Sequence, residues 1–431
     1  MASKPTNHTA ELPEGWASRK GEAAPSGKKS DAHSTGDTSA SPVRSTGGTP
    51  VPPNTGKIPV PPKLETNPYP WYSPRFWHGM RPLEWWGLMA SHGFRIHPLR
   101  WPMAFLISII TPLNSLFAVV QWLRYGRRLQ EAKIEHPPIF IIGHWRSGTT
   151  YLHELLFLDE RFVSPTTYQC FAPHHCLWTE WLMNKLGFWL IPKQRPMDNM
   201  AAGWDRPQED EFALLTLGAP TPYLRMAFPN DPPPYMEFLD MRGCAETDVA
   251  RFEKAIVDFV KLLTVAGGGK RVLLKSPPHT GRVELLSRLF PGAKFIHIVR
   301  HPFALYPSTM KLWPSLDEVQ GLQFPKNKGL EEYVFTCLTR MYAAFEEQRQ
   351  RLPENSIYEV RYEDLVADPA GEVRKMYEKL ELGPYEMVRE KIDAFVMGQK
   401  DYKTNKHHID KAVKNKIHER WAAYFDKYGY A

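Results

Sequence analysis

Apolar positions along this chain come in three rhythms, and each predicts a different kind of element. Residues 1–66 have none: Ser, Thr, Gly, Pro and Lys dominate, and large apolar side chains stand alone. Such a segment cannot bury enough surface to offset its ordering entropy, so it reads as a disordered tail. No apolar run of the secretory-leader type lies near its start, which sets the expectation of a cytoplasmic protein. From Tyr69 the pattern flips. Trp71, Trp77, Trp85, Trp86 and Trp101 crowd together with Arg75, Arg81, Arg95 and Arg100, and residues 101–123 then run without a charge. That run is long enough to span a bilayer. Pro112-Leu113-Asn114 at its centre predicts a break between two short helices. Arg124, Arg127, Arg128 and Lys133 follow at once.

Residues 67–134 therefore read as a Trp-rich, apolar helical extension. Three arrangements suit it, in decreasing order of preference. One is a helical pair packed on the next domain. Another is an interfacial anchor on the inner face of a membrane, with tryptophans and arginines at headgroup level. The last is a transmembrane helix.

The third rhythm fills residues 135–431 and is α/β. Short continuous apolar runs at 139–142, 271–274, 294–299 and 356–361 predict buried strands. Helical spacing marks 149–158, 245–266, 280–290, 330–352, 369–380 and 385–396, while 160–240 is irregular and rich in Pro, Trp and His. Strand, helix and strand within about 30 residues is the size of a right-handed βαβ unit. The expected fold is α/β: a P-loop-like three-layer sandwich with a central parallel sheet, plus the helical N-terminal extension.

Composition narrows the chemistry only a little. The chain has 431 residues, 42% hydrophobic and 13% aromatic, enough for a large core, and a net charge of +7. That charge favours anionic ligands, membrane surfaces or nucleic acid without choosing among them. Four cysteines without C-x-x-C spacing exclude a disulfide scaffold and read as reduced thiols. Cys170 and Cys176 bracket His174 and His175, which makes a weak zinc candidate.

The stretch that organises the rest is Pro137 to Thr150. A strand ends at Gly143, a tight loop follows, and a helix begins. Loop amides and a helix N-terminus together cradle an anion. The spacing is nearly G-x-x-x-x-G-K-[ST], but Thr149 stands where the lysine belongs and Arg146 is the loop's only fixed cation. A metal-dependent nucleotide hydrolase also needs an acidic residue at the end of a neighbouring strand. The neighbouring strands here end in Lys275 and Arg300, so the site reads as metal-free, built from Arg146, Lys275 and Arg300 where open parallel sheets bind ligands.

On these residues the chain resembles the PAPS-dependent sulfotransferases (PAPS is 3'-phosphoadenosine 5'-phosphosulfate), in a bacterial branch distantly similar to the tyrosylprotein sulfotransferases. Arg146-Ser147-Gly148-Thr149-Thr150 resembles that family's 5'-phosphosulfate loop. Residues 295–302 through Ser308 resemble its 3'-phosphate motif, in which Arg300 and Ser308 grip the phosphate. Residues 272–279 resemble the strand end that carries its catalytic lysine, here Lys275. Tyr362-Glu363-Asp364-Leu365 resembles a later segment, which adds Tyr362 to the expected nucleotide site. The resemblance covers residues 137–430 in the family's order. It implies sulfuryl transfer from PAPS to a hydroxyl or amine acceptor, without metal and without nucleic acid.

The acceptor needs a general base, for which the family uses a glutamate or a histidine. Glu209 and Glu211, flanking Asp210, are the first candidates, with Glu209 preferred. His174 and His175 are rivals. His153 reads as a packed surface histidine, and His279, after the Lys275 turn, as a histidine behind the site residues or a structural one. Trp178, Trp181, Phe188, Trp189, Trp204 and Tyr223 are expected to wall the acceptor pocket, which suits sugars, phenols and lipid-like alcohols alike. Lys403 or Lys406, in a basic tail segment, is placed to reach the 3'-phosphate or to stay solvated. The alternatives are a P-loop kinase or hydrolase, disfavoured by the missing loop lysine and strand-end acid, and a catalytically silent nucleotide-binding membrane scaffold. Arg146, Lys275, Arg300 and Ser308 standing together argue against the last.

Overall fold

A computed structural model describes residues 72–191, 202–398 and 409–431. Residues 1–66 and the Lys403/Lys406 segment lie outside those described. Five strands form one parallel sheet in the order β2-β3-β1-β4-β5: β1 Ile139–Ile142, β2 Phe162–Val163, β3 Arg271–Lys275, β4 Lys294–Val299 and β5 Ile357–Arg361. β1 is central and pairs with β3 and β4, so Ile141 lies beside Lys275 and Ile142 beside His297. Successive side chains of a strand face opposite ways. Phe140, Ile142, Phe295 and Val299 accordingly enter one core, while Ile139, Ile141, Ile296 and Ile298 enter the other. Both faces are covered, as an all-parallel sheet requires, and the expected three-layer α/β sandwich is what forms.

The helices, in chain order, are α1 Pro82–Ser91, α2 Trp101–Glu131, α3 Thr149–Phe157, α4 Thr167–Phe171, α5 Cys176–Leu186, α6 Asp210–Thr216, α7 Glu246–Ala266, α8 Val283–Leu289, α9 Pro302–Gln320, α10 Leu330–Gln348, α11 Tyr362–Ala367, α12 Pro369–Leu380, α13 Arg389–Gly398, α14 Lys411–Arg420 and α15 Ala422–Tyr428.

Three expectations need correction. The expected break at Pro112 does not occur, and α2 runs unbroken through it. Pro112 is exposed, and the carbonyl of Ser108, whose helical donor the proline lacks, accepts from the Thr111 hydroxyl at 3.4 Å. The expected helix 280–290 is a 3-10 segment, Pro277–Arg282, followed by α8. The expected helix 385–396 is likewise a 3-10 turn, Tyr385–Met387, and then α13.

The N-terminal helices are keyed into the body. Trp77 and Trp85 are fully buried, the Trp77 indole donates to the Gln320 carbonyl, and Phe76 stacks on Phe212 at 4.1 Å.

Candidate functional site

The site lies at the carboxyl end of β1, β3 and β4. The loop after β1 has a special backbone: Gly143, Arg146 and Gly148 have φ of 141°, 68° and 106°. A left-handed arginine is strained by order 1–3 kcal/mol, and such strain concentrates at functional sites. The glycines are required by space as well as by angle. A Cβ on Gly143 would stand 2.3 Å from the Ile298 carbonyl oxygen, and one on Gly148 would stand 2.3 Å from the Tyr362 ring. The Gly143 amide is held by the Thr280 hydroxyl at 2.8 Å. The Ser147 hydroxyl is buried with no hydrogen-bond partner among the described residues. An orphaned donor in a glycine-lined cradle at the start of α3 fits an oxyanion.

Four of the expected nucleotide residues meet here. Arg146 Nε donates to Ser308 Oγ at 2.9 Å, and Arg300 Nη1 donates to the Arg146 carbonyl at 2.9 Å. The Arg300 guanidinium lies 4.3 Å over the Tyr362 ring, a cation–π contact. The Arg300 amide donates to the Tyr424 hydroxyl at 3.0 Å. Ser308 comes from the second turn of α9, which opens at Pro302. The left-handed turn at Arg146 thus sends its side chain to one partner and its carbonyl to another.

The second cluster joins β3 to α6. Lys275 Nζ, almost wholly buried, is 2.7 Å from Glu209 Oε1. Glu209 Oε2 accepts from the Tyr223 hydroxyl at 2.5 Å, and that hydroxyl accepts from the Trp145 indole at 2.7 Å. A chain of polar contacts therefore links the loop after β1, through Trp145 and Tyr223, to Glu209 and Lys275. Burial, and then the Glu209 charge, push the Tyr223 phenol well above its ordinary range, so it stays a donor.

Glu211 does not fit the base role expected of it. It is fully buried, bidentate to Arg282 at 2.8 and 3.0 Å, and accepts from the Thr221 hydroxyl at 2.5 Å. Both its oxygens are committed, to a guanidinium and a hydroxyl away from Lys275. Asp210, also fully buried, accepts from Ser276 Oγ at 2.8 Å and pairs with His279 Nε2 at 2.6 Å. Burial alone would raise the Asp210 carboxyl; attraction to His279 and the hydrogen bonds from His279 and Ser276 outweigh it and hold the group below the usual range.

The rival histidines are occupied or neutral. His175 bonds Thr179 and Asn114. Burial takes His174 down to about 3. His153 is a buried residue bonded to Ser164, not the surface histidine expected; burial and then the Lys275 charge lower it to about 3. Of the aromatics expected to wall a pocket, Tyr223 is drawn to Glu209. Trp204 is buried and bonded to the Gly187 carbonyl, Trp178 bonds the Phe117 carbonyl, and Trp181 and Trp189 are exposed. The Phe188 side chain lies outside those described. Sequence reasoning missed the Trp145 indole and the polar use of Tyr223, since no local pattern ties a phenol to a carboxylate 14 residues upstream.

Residues 137–386 match the profile described as the Sulfotransferase family. The chain is 40% identical over 360 residues to the omega-hydroxy-beta-dihydromenaquinone-9 sulfotransferase Stf3 of Mycobacterium bovis, covering 84% of this chain and 92% of that protein. Stf3 of Mycobacterium tuberculosis gives the same figures. Among solved structures, sulfotransferase STF1 from Mycobacterium tuberculosis H37Rv has a TM-score of 0.55 at 18% identity, covering 79% of this chain and 92% of that one. Sulfotransferase STF9 from Mycobacterium avium has 0.56 at 16%, covering 81% and 96%. These two likenesses are of fold.

Proposed function

The chain belongs to the sulfotransferase family, an enzyme family that transfers sulfuryl groups to hydroxyl acceptors, and on that premise we propose that its donor is PAPS and its acceptor the terminal hydroxyl of a long-chain, quinone-type lipid alcohol. The donor reading is supported by the cluster of Arg146, Ser308, Arg300 and Tyr362 beside a glycine-lined anion cradle. The acceptor reading is supported by the 40% identity to a protein whose name specifies an ω-hydroxylated menaquinone.

The amides of residues 146–150, with the hydroxyls of Ser147, Thr149 and Thr150, would hold the 5'-phosphosulfate, and Arg300 and Ser308 the 3'-phosphate. Arg146 braces Ser308, and Tyr362 keeps the Arg300 guanidinium flat against its ring. PAPS supplies a sulfuryl group on a phosphate leaving group. As the acceptor oxygen bonds to sulfur, the bridging S–O bond breaks and its electron pair goes to the phosphate. Lys275 Nζ neutralises that oxygen, the electrostatic help that usually dominates such transfers. Glu209 takes the acceptor proton. Tyr223 fixes the Glu209 carboxylate, so the oxygen facing Lys275 is the one that receives the proton. The observation that carries this reading is the Lys275–Glu209 contact at the same sheet end as the anion cradle.

The test uses the purified full chain, radiolabelled PAPS, and three acceptors: an ω-hydroxylated prenyl quinone, a simple phenol and a hexose. Label is expected on the quinone alcohol. It is expected to persist in EDTA and to vanish in Lys275→Ala, while calorimetry still shows 3',5'-ADP binding. Turnover undiminished by Lys275→Ala would sink the role given to that lysine, and loss of activity in EDTA would favour a metal-dependent phosphoryl chemistry.

A further inference from the structure

The α2 helix turns its polar anchoring side chains inward and most of its large apolar ones outward. Thr111, Asn114 and Gln121 are buried, beside Ala104, Ile107 and Gly126. Asn114 Nδ2 donates to the His78 and Met80 carbonyls at 2.6 and 2.7 Å, the Gln121 amide bonds Leu177 and Pro173, and the Trp85 indole donates to Ser108 Oγ at 2.9 Å. Its outward face is apolar. Phe105, Ile109, Leu113, Leu116 and Leu123 recur every three to seven residues along one stripe and are all exposed, Phe105 by 68% and Leu123 by 70%. Exposed Leu83 and Trp86 on α1, and Trp181 and Leu186 on α5, add to the apolar surface of the helices packed beside α2. An exposed apolar stripe along a 31-residue helix marks an interaction site.

We propose that this face seats on a lipid bilayer bearing anionic headgroups, with α2 lying along the membrane plane. Polar bonds tie α2 sideways to the body from Ser108 to Gln121, so it cannot leave the body to cross a bilayer; one flank stays on protein and the other meets acyl chains. Charge selects the occupant. Between residues 95 and 133 the cations are Arg95, Arg100, Arg124, Arg127, Arg128 and Lys133, and the only acid is Glu131. Arg95 pairs with Asp231, Arg100 with Glu318 and Arg127 with Glu131, while exposed Arg124, Arg128 and Lys133 gather at the C-terminal end of α2. Trp101 and Trp122 sit exposed near the two ends, where amphipathic rings favour the headgroup level. A second copy of the chain suits the face less well, because between residues 95 and 133 it offers the exposed cations only one acid, Glu131, which Arg127 already holds. Residues 1–66 offer only scattered apolar side chains, too few to cover it. The surface also connects to the site: α5 leans on α2, its Glu180 accepts from Thr166, and Thr166 bridges to Pro207, two residues before Glu209.

The experiment is flotation of the full chain with vesicles of phosphatidylcholine alone or with 30% phosphatidylglycerol. It reads binding and not turnover, so its outcome is separate from that of the acceptor assay. The wild-type chain is expected to float with the anionic vesicles and to release in high salt. Phe105→Ser/Leu116→Ser is expected to lose binding at least tenfold, and Arg124→Gln/Arg128→Gln severalfold on anionic vesicles only. Both variants should keep wild-type 3',5'-ADP binding, which reports folding. A wild-type chain that stays at the bottom of the gradient with both vesicles overturns the proposal. So does a stable dimer by light scattering that Phe105→Ser/Leu116→Ser dissociates, since that assigns the face to a second copy.

Discussion

Glu209, Asp210 and Glu211 are three consecutive acids with three separate partners: Lys275, the Ser276–His279 pair and Arg282. Their burial separates their duties. Glu209→Gln should lower kcat by about 10²–10⁴, the usual worth of a general base, in addition to the stability it loses by leaving buried Lys275 without its carboxylate. Glu211→Gln should instead lower the urea midpoint, because it leaves the Arg282 charge buried and unbalanced, a loss of about 3–5 kcal/mol. Equal kinetic losses with unchanged stability in both variants would contradict this division. The acid cluster was legible in the sequence as the place to look for a base. Which carboxylate faces Lys275 was not, since that depends on partners some 66 to 71 residues away.

At the scale of elements, all strands but the two-residue β2, which lies in the stretch expected to be irregular, were readable because continuous apolar runs bounded by Gly and Pro have few other uses. Helices with internal proline were not. α9 went unrecognised because Pro307 and Pro314 interrupt its pattern, yet burial of Leu312, Trp313 and Leu316 holds it in one piece. α2 was read as broken for the same reason. Asn114 explains its attachment, and Asn114→Ala, by orphaning its two carbonyl partners on the 78–80 turn, should cost about 1–3 kcal/mol in urea unfolding. In the phosphate loop, Gly148→Ala should raise the KM for the donor at least tenfold, since the new methyl would meet the Tyr362 ring that supports Arg300. An unchanged KM would mean the loop tolerates a displaced Tyr362.

Among the described residues, five histidines lowered mainly by desolvation contribute to the molecule's response to acid. Burial lowers His78 and His175 to about 4, and His144, His153 and His174 to about 3. An unfolded histidine takes up its proton near 6.5. Between about pH 6.5 and 3 the unfolded chain therefore binds more protons than the folded one, and stability must fall as pH falls through that window, by up to about 1.4 kcal/mol per pH unit for each group. The urea midpoint should be clearly lower at pH 5 than at pH 7. Equal midpoints would mean these rings are not neutral in the fold.

The acidic triplet also has a consequence in time. Its partners are distant along the chain, and until α6 meets the end of β3 the Lys275 ammonium has no reason to leave water. No partly folded form can hold a finished centre. On refolding from denaturant, activity should return in the slowest tertiary step, together with the burial of Trp145, and never in an early burst.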